Sequence, residues 1–164
     1  MTGQLALLAF VGDLVIAIDV AAVVQLRLAT DVAARRVDRS LFAVELDDET
    51  IPGWAAGELL GVGACDTAWV IASLASVDGG RRFGVRIGRC MAVQRLPVCH
   101  AIPPSLFRAR GGAIAAAFAG TQIAELTSAP SGVVLDLSRL VTAGELGAGQ
   151  RLRTRREGGL DRVT

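Results

Sequence analysis

The chain has 164 residues, of which 52% are hydrophobic and only 4% aromatic, so it can bury the core of one domain or of two small ones. All 17 basic residues are arginine; residues 1–148 carry a net charge of −2 and residues 149–164 a net charge of +3. The main part of the chain therefore lacks the basic excess that phosphate-backbone binding needs, and we expect no nucleic-acid partner.

The first apolar stretch, residues 5–27, is as hydrophobic on average as a membrane span, but acidic residues interrupt it. Asp13 lies in its middle and Asp19 follows, and a carboxylate near the centre of a bilayer costs a few kcal/mol. No basic residue precedes the stretch and no clear cleavage site follows it, as a secretory signal would require. We therefore expect a cytoplasmic protein without direct membrane insertion.

The same stretch is better interpreted as a β-hairpin. Gly12-Asp13 is a favoured two-residue turn because glycine adopts the positive φ that such turns require. The pattern predicts strands at residues 5–11 and 14–18, followed by a short helical turn that leads into a strand within residues 20–27.

Turn residues and apolar runs divide the middle of the chain. We expect an exposed loop at residues 29–40, a strand at 41–46 and a turn at 47–49. Pro52 restricts the next strand to a sheet edge or to a strand start, because proline donates no backbone hydrogen bond. Residues 53–61 predict one or two helical turns that end at Gly61.

The second half contains further short strands. Residues 69–75 and 81–87 flank the turn Asp78-Gly79-Gly80 and predict a second hairpin. The other predicted strands span residues 90–96, 113–118, 122–126 and 133–137. Ser138 can cap a helix at 139–146 that turns Leu140 and Val141 inward, and we expect disorder beyond residue 147. Many short strands with few helices indicate a barrel or sandwich.

The three cysteines have no metal-like spacing, which favours reduced thiols that behave as small hydrophobic residues. Cys90, Cys99 and His100 are nevertheless the one place where a nucleophile or metal site could begin. The alternative function is therefore a small cytoplasmic β-barrel enzyme or metal-binding protein that uses these three residues. It predicts a bound metal or a thiol with a lowered pKa.

The order of the motifs resembles the CheW-like domain, the coupling-protein fold of bacterial chemosensory arrays. The resemblance covers about residues 5–146 and is most specific in the N-terminal segment, LLAFVGDLVIAIDVAAVVQLR. Further similar stretches are IPGWAAGELLG, RRFGVRIGRCMAVQRL and VVLDLSRLV. One departure is Gly88, which stands where the family usually has Asp.

This resemblance implies a mainly β fold of two intertwined five-stranded, SH3-like barrels with short helices. It places the CheW-like domain at residues 1–148, with the second barrel at roughly 65–128 and an Arg/Gly-rich tail at 149–164. It also implies a non-catalytic adaptor without cofactor or metal. Its partners would be the regulatory domain of a CheA-type histidine kinase and the cytoplasmic tip of a chemoreceptor.

A second departure concerns those partners. Family members carry an Arg-Gly pair before the Ile-Pro step, at a place implicated in partner contacts, and here Asp47-Asp48 occupies it. An aspartate in place of an arginine turns attraction to a carboxylate into repulsion, so this chain could be a specialised coupler with an altered kinase contact. A drifted, acid-rich surface turn explains the change equally well.

We expect partner contacts from the lining of the groove between the barrels and from the nearby acidic turn. Core packing is an alternative role for the apolar residues of this set, and Trp54 is either a core residue or an exposed anchor. The full predicted set is Val24, Leu26, Leu41, Phe42, Val44, Asp47, Asp48 and Trp54.

Overall fold

A computed structural model describes residues 3–38, 41–62, 67–75, 78–96, 99–103, 114–119 and 131–141. Within these ranges the chain is mainly β, with two short α-helices. The strands are β1 (Leu5–Val11), β2 (Leu14–Asp19), β3 (Val23–Leu28), β4 (Ala34–Asp38), β5 (Leu41–Glu45), β6 (Thr50–Ala55), β7 (Ala68–Ser73), β8 (Arg82–Ile87), β9 (Cys90–Arg95), β10 (His100–Ala101), β11 (Ile114–Ala119) and β12 (Ser131–Leu135). The helices are α1 (Ala56–Leu60) and α2 (Leu137–Leu140). None of the helices in these ranges has the length and apolar composition needed to cross a membrane.

The strands form two six-stranded sheets. The order in the first sheet is β10-β11-β12-β2-β1-β9, and in the second it is β3-β7-β8-β6-β5-β4. Most neighbouring strands are antiparallel, but β12 pairs with β2, and β6 with β8, in parallel. The architecture confirms the predicted fold class of two SH3-like β domains, with six strands in each sheet instead of five.

The N-terminal hairpin has the predicted form. Val11 pairs with Leu14 across the turn. Gly12 has a φ of 59°, a backbone conformation that is strained in residues with a side chain. The alternating apolar residues of β1 and β2 then face two different cores, because successive side chains of a strand point to opposite faces. Both strands are therefore almost entirely apolar because each of their faces is covered by a core.

Buried residues form three clusters, and the largest is shared by both sheets. It contains Leu7 and Ile18 from the first sheet and Val70 and Val85 from the second. The second cluster, which includes Leu8 and Phe118, draws on the first sheet and its flanking Leu96 and Cys99. The third cluster belongs to the second sheet and its flanks, and consists of Val32, Phe42, Val44, Ile51, Ala55, Trp69 and Ile71. Each sheet thus covers its own core with one face and packs against the other sheet with its opposite face.

Several predicted elements differ from the structure. The loop expected at 29–40 contains β4, which pairs with β5 as an edge strand despite its arginines. Helix α2 begins earlier than predicted because Asp136, and not Ser138, is its N-cap. Leu140 and Val141 are buried as expected. The strand expected at 122–126 and the tail at 149–164 lie outside the described residues.

The division of strands between the two units also differs from the prediction of a second barrel at roughly 65–128. Along the chain, the strands of the second sheet run from β3 to β8, whereas β9, β10 and β11 belong to the first sheet. The prediction followed chain order, but β9 pairs with β1, where Leu5 lies opposite Arg95. Pairing between distant segments cannot be deduced from the local pattern of either strand.

Candidate partner-binding site

Strand β3 exposes an apolar stripe along one edge of the second sheet. Val24, Leu26 and Leu28 are 55%, 46% and 60% exposed, and all are large aliphatic residues. The strand pairs with β7 on one side and is an edge strand of its sheet. Apolar edge strands are normally protected, because they can pair with other chains. We call Val24, Leu26 and Leu28 the β3 stripe.

Two residues of the β3 stripe lie on the face of the second sheet that packs against the first. Leu26 is opposite Val70, and Leu28 is opposite Ala68, and both partners belong to the core that the sheets share. Directly opposite residues of two strands share a face. Leu26 and Leu28 therefore continue the inter-sheet core outward to the surface.

Val24 lies at a register shift. Val23 pairs with Ala72, but Gln25 already pairs with Ile71, so Val24 has no opposite residue on β7. An extra residue of this kind bends an edge strand and redirects its side chain. This irregularity adds Val24 to the exposed apolar surface.

Four of the predicted contact residues are instead buried in the cores. Leu41 and Trp54 pack in the shared cluster, whereas Phe42 and Val44 pack inside the second sheet's own cluster. Trp54 is only 1% exposed and meets the ring of Phe83 edge-on at 6.5 Å between centroids. The exposed-anchor interpretation of Trp54 is therefore wrong, because β6 is an inner strand of its sheet. The core role holds for all four.

The acidic turn between β5 and β6 is bound by arginines of two other strands. Arg82 of β8 reaches Asp48 at 2.7 Å and Glu49 at 2.6 Å, and these contacts raise the pKa of its guanidinium, with the Asp48 hydrogen bond as the largest cause. Arg27 of β3 lies 3.7 Å from Asp47. The turn is thus partly neutralised, although the side chains of Asp47 and Asp48 remain 92% and 69% exposed.

A second ion pair fastens edge strand β4 to helix α1. Arg36 donates two hydrogen bonds to the carboxylate of Glu58, and its guanidinium lies 4.7 Å from the centre of the Phe42 ring. The hydrogen bond from Arg36 holds the pKa of Glu58 below its usual value. Within the predicted loop, residues 34–38 therefore form an edge strand, and Arg36 ties this strand to helix α1.

The thiol site of the alternative hypothesis does not show the electrostatics of an activated nucleophile. Burial raises the pKa of Cys90 and also that of Cys99. Cys90 packs against the shared core, whereas Cys99 packs against the core of the first sheet. Among the described residues, no three His, Cys, Asp or Glu side chains are grouped as metal ligands.

No protein-family model and no curated protein matches the sequence. The structure, however, is similar to the crystal structure of the scaffolding protein TtCheW from Thermoanaerobacter tengcongensis. The TM-score is 0.63 at 12% sequence identity, over 88% of this chain and 92% of that chain. The fold is CheW-like.

The CheW-like fold confirms the resemblance that the order of the motifs indicated. At 12% identity, the two chains share their fold but few individual residues. The fold can persist because a core accepts many combinations of apolar residues of suitable total volume.

Within this CheW-like fold, the sequence interpretation missed three residues of the candidate site. Leu28 extends the β3 stripe, and the alternation of Val24, Leu26 and Leu28 in the sequence was the available signal. Arg27 and Arg82 hold the acidic turn, but they lie 20 and 34 residues from their partners. No local pattern indicates that pairing.

Proposed function

We propose that this protein is a non-catalytic cytoplasmic adaptor of a bacterial chemosensory system. In this role it links the cytoplasmic tip of a chemoreceptor to the regulatory domain of a CheA-type histidine kinase. The CheW-like fold over most of the chain carries the proposal. The similar structure is that of a scaffolding protein.

The β3 stripe supports a role in protein binding. Contiguous exposed apolar side chains on a soluble domain typically mark an interaction surface, because water contact with them is unfavourable. Here they continue an existing core, so that a partner could extend that core by covering Leu26 and Leu28. We assign Val24, Leu26 and Leu28 to the partner contact.

The acidic turn supports a coupler with an altered kinase contact. Asp47 and Asp48 present carboxylates where the family has Arg-Gly, and their exposure leaves them accessible despite the pairing with Arg27 and Arg82. A charge at the rim of an interface changes association rate and partner choice more than it changes affinity. The favoured kinase therefore has basic, and not acidic, side chains facing this turn.

Direct binding measurements test the adaptor role. The full chain is titrated with the purified kinase regulatory domain and with the receptor tip of the same organism, using calorimetry. We expect a Kd on the order of 1 µM or lower for at least one of them. Absence of binding to both would overturn the proposal.

A pair of matched variants tests whether the β3 stripe is the partner contact. Leu26→Asp places a carboxylate in the β3 stripe and should weaken binding by about tenfold or more, because an unpaired charge is costly to bury. Val37→Asp is the control: Val37 is 41% exposed and lies on β4, the opposite edge strand of the same sheet. Equal weakening by both variants would exclude the β3 stripe as the contact.

A further inference from the structure

A cavity of about 220 Å³ opens at one end of the first sheet. Its wall is mainly apolar and includes Ala22, Leu74, Ala115 and Leu137. Leu74 follows β7 of the second sheet, so the cavity lies where the two sheets meet. Its volume equals that of about seven liquid waters, which is room for a short aliphatic chain with a polar head.

Two aspartates line this cavity from neighbouring strands. Asp19 ends β2 and Asp136 follows β12, and these strands are parallel with Ala17 opposite Val134. Continuing that register by two residues places Asp136 beside Asp19. The carboxyl ends of adjacent parallel strands thus bring two acids to the same rim.

Backbone hydrogen bonds hold both carboxylates in place. Asp19 accepts from the Ala21 N–H at 3.0 Å, and Asp136 accepts from the Ser138 N–H at 3.0 Å and the Arg139 N–H at 3.3 Å. Each aspartate therefore caps a short helical turn that begins at the cavity. A side chain fixed in this way loses little conformational entropy when it binds a ligand.

The charge of the two aspartates is only partly balanced. Arg139 pairs with Asp136 at 3.3 Å, whereas Asp19 has no ion pair among the described residues. The described residues that line the cavity include Gln4 and Ser138 but no arginine and no histidine. An apolar cavity with a carboxylate at its rim that no described residue neutralises favours a ligand with an aliphatic body and a cationic head.

We propose that this cavity binds a short alkyl-guanidinium or alkyl-ammonium group. The cationic head lies on Asp19, and the aliphatic body packs against Ala22, Leu74 and Leu137. The proposal goes beyond the adaptor role and does not depend on it. The cation is supplied either by a free small amine or by the arginine or lysine side chain of a polypeptide.

Titration of the full chain with n-butylguanidinium chloride tests the proposal, with n-pentanol as the uncharged probe of similar shape. We expect backbone amide NMR shifts at Ala22 and Leu137 and a Kd on the order of 1 mM, as a ligand of this size allows. The alcohol should bind about tenfold more weakly or not at all. Equal binding of both probes, or shifts only at distant residues, would overturn the proposal.

Substitutions test separately the role of the Asp19 charge and the role of the cavity volume. Asp19→Asn keeps a good cap while removing the charge, so it should weaken n-butylguanidinium about tenfold without loss of stability. Asp13→Asn, in the hairpin turn, is the matched control and should bind normally. Ala115→Leu fills part of the cavity from a half-buried position and should abolish binding of both probes. Unchanged binding in Asp19→Asn would exclude a cation site.

A third probe distinguishes the two sources of the cation. N-acetyl-arginine-N-methylamide carries the same head group with a peptide backbone on each side. Binding about tenfold tighter than n-butylguanidinium indicates a polypeptide ligand, because the backbone then adds contacts. Equal or weaker binding indicates a free small amine. Binding of neither compound overturns the proposal.

Discussion

The indole ring of Trp69 lies directly against the backbone of Gly53, on the face of the second sheet that covers its own core. A Cβ atom on Gly53 would come within 2.7 Å of Trp69 Cζ3 and 2.6 Å of Val44 Cγ2. A Cβ atom on Gly84, the register partner of Gly53, would lie 3.0 Å from Cε3 of the same ring. Glycine is thus required where an aromatic ring covers two neighbouring strands.

Gly53→Ala should lower the free energy of unfolding by about 1–3 kcal/mol, because the added methyl group overpacks the core. Urea unfolding measures the loss. In a Trp69→Leu background, which removes the ring, the same substitution should cost clearly less. An equal cost in both backgrounds would mean that a cause other than the close approach to the ring destabilises the variant.

Glu58→Gln should remove a small, pH-dependent contribution to stability. Arg36 lowers the folded-state pKa of Glu58 from the usual 4.5, so the ion pair stabilises the protein above that pH. This contribution is lost as the pH falls through the folded-state pKa. The pair is largely solvent-exposed, so the loss at neutral pH should be about 0.5 kcal/mol. A difference in unfolding free energy that persists in acid would contradict this assignment.

Arg82→Gln should loosen the acidic turn, because Arg82 binds both Asp48 and Glu49. We expect a loss of about 1 kcal/mol at low salt that shrinks at high salt, since exposed ion pairs are screened. Arg81→Gln is the matched control, as the preceding residue is exposed. Equal and salt-independent effects of the two variants would show that the ion pairs of Arg82 contribute nothing to the free energy of unfolding.

Asp47→Arg combined with Asp48→Gly should tighten binding to a kinase regulatory domain that has acidic side chains at this contact. The double variant should also be about 1 kcal/mol less stable, since it removes the Asp48–Arg82 pair and places a new positive charge near Arg27. Calorimetry with the kinase domain and thermal unfolding measure the two effects. Unchanged kinase affinity would count against the turn as a kinase contact.

Cys90 and Cys99 should react slowly with a disulfide reagent in the native protein and quickly after denaturation. Burial raises the pKa of both thiols, which lowers the fraction of reactive thiolate at neutral pH. Thiol titration with and without denaturant measures the ratio. A native thiol that reacts faster than a free cysteine would instead favour the alternative enzyme or metal-site hypothesis.

Much of the fold follows from local chemistry. Gly12 predicts the first hairpin because only a residue without a side chain adopts its φ freely, and Gly61 ends α1 for the same reason. Alternating apolar residues predict β8, where Phe83, Val85 and Ile87 share one buried face. Such signals depend only on neighbours in the sequence.

Which residues form the candidate site depends much more on tertiary structure than the positions of the strands do. Leu26 and Val44 are both apolar residues in predicted strands, yet Leu26 is 46% exposed and Val44 is fully buried. The difference is that β3 is an edge strand and β5 an inner one, which is decided by pairing between distant segments.

The sequence by itself therefore determined most of the strands, their turns and the CheW-like order, because turn chemistry and apolar periodicity are local properties. Only the tertiary structure decided that Val24 and Leu26 are exposed while Leu41, Phe42, Val44 and Trp54 form the core. It also decided that Arg27 and Arg82 neutralise part of the acidic turn and that two aspartates share one cavity. Each of these relationships joins residues far apart in the chain, and packing of the two sheets is what brings them together.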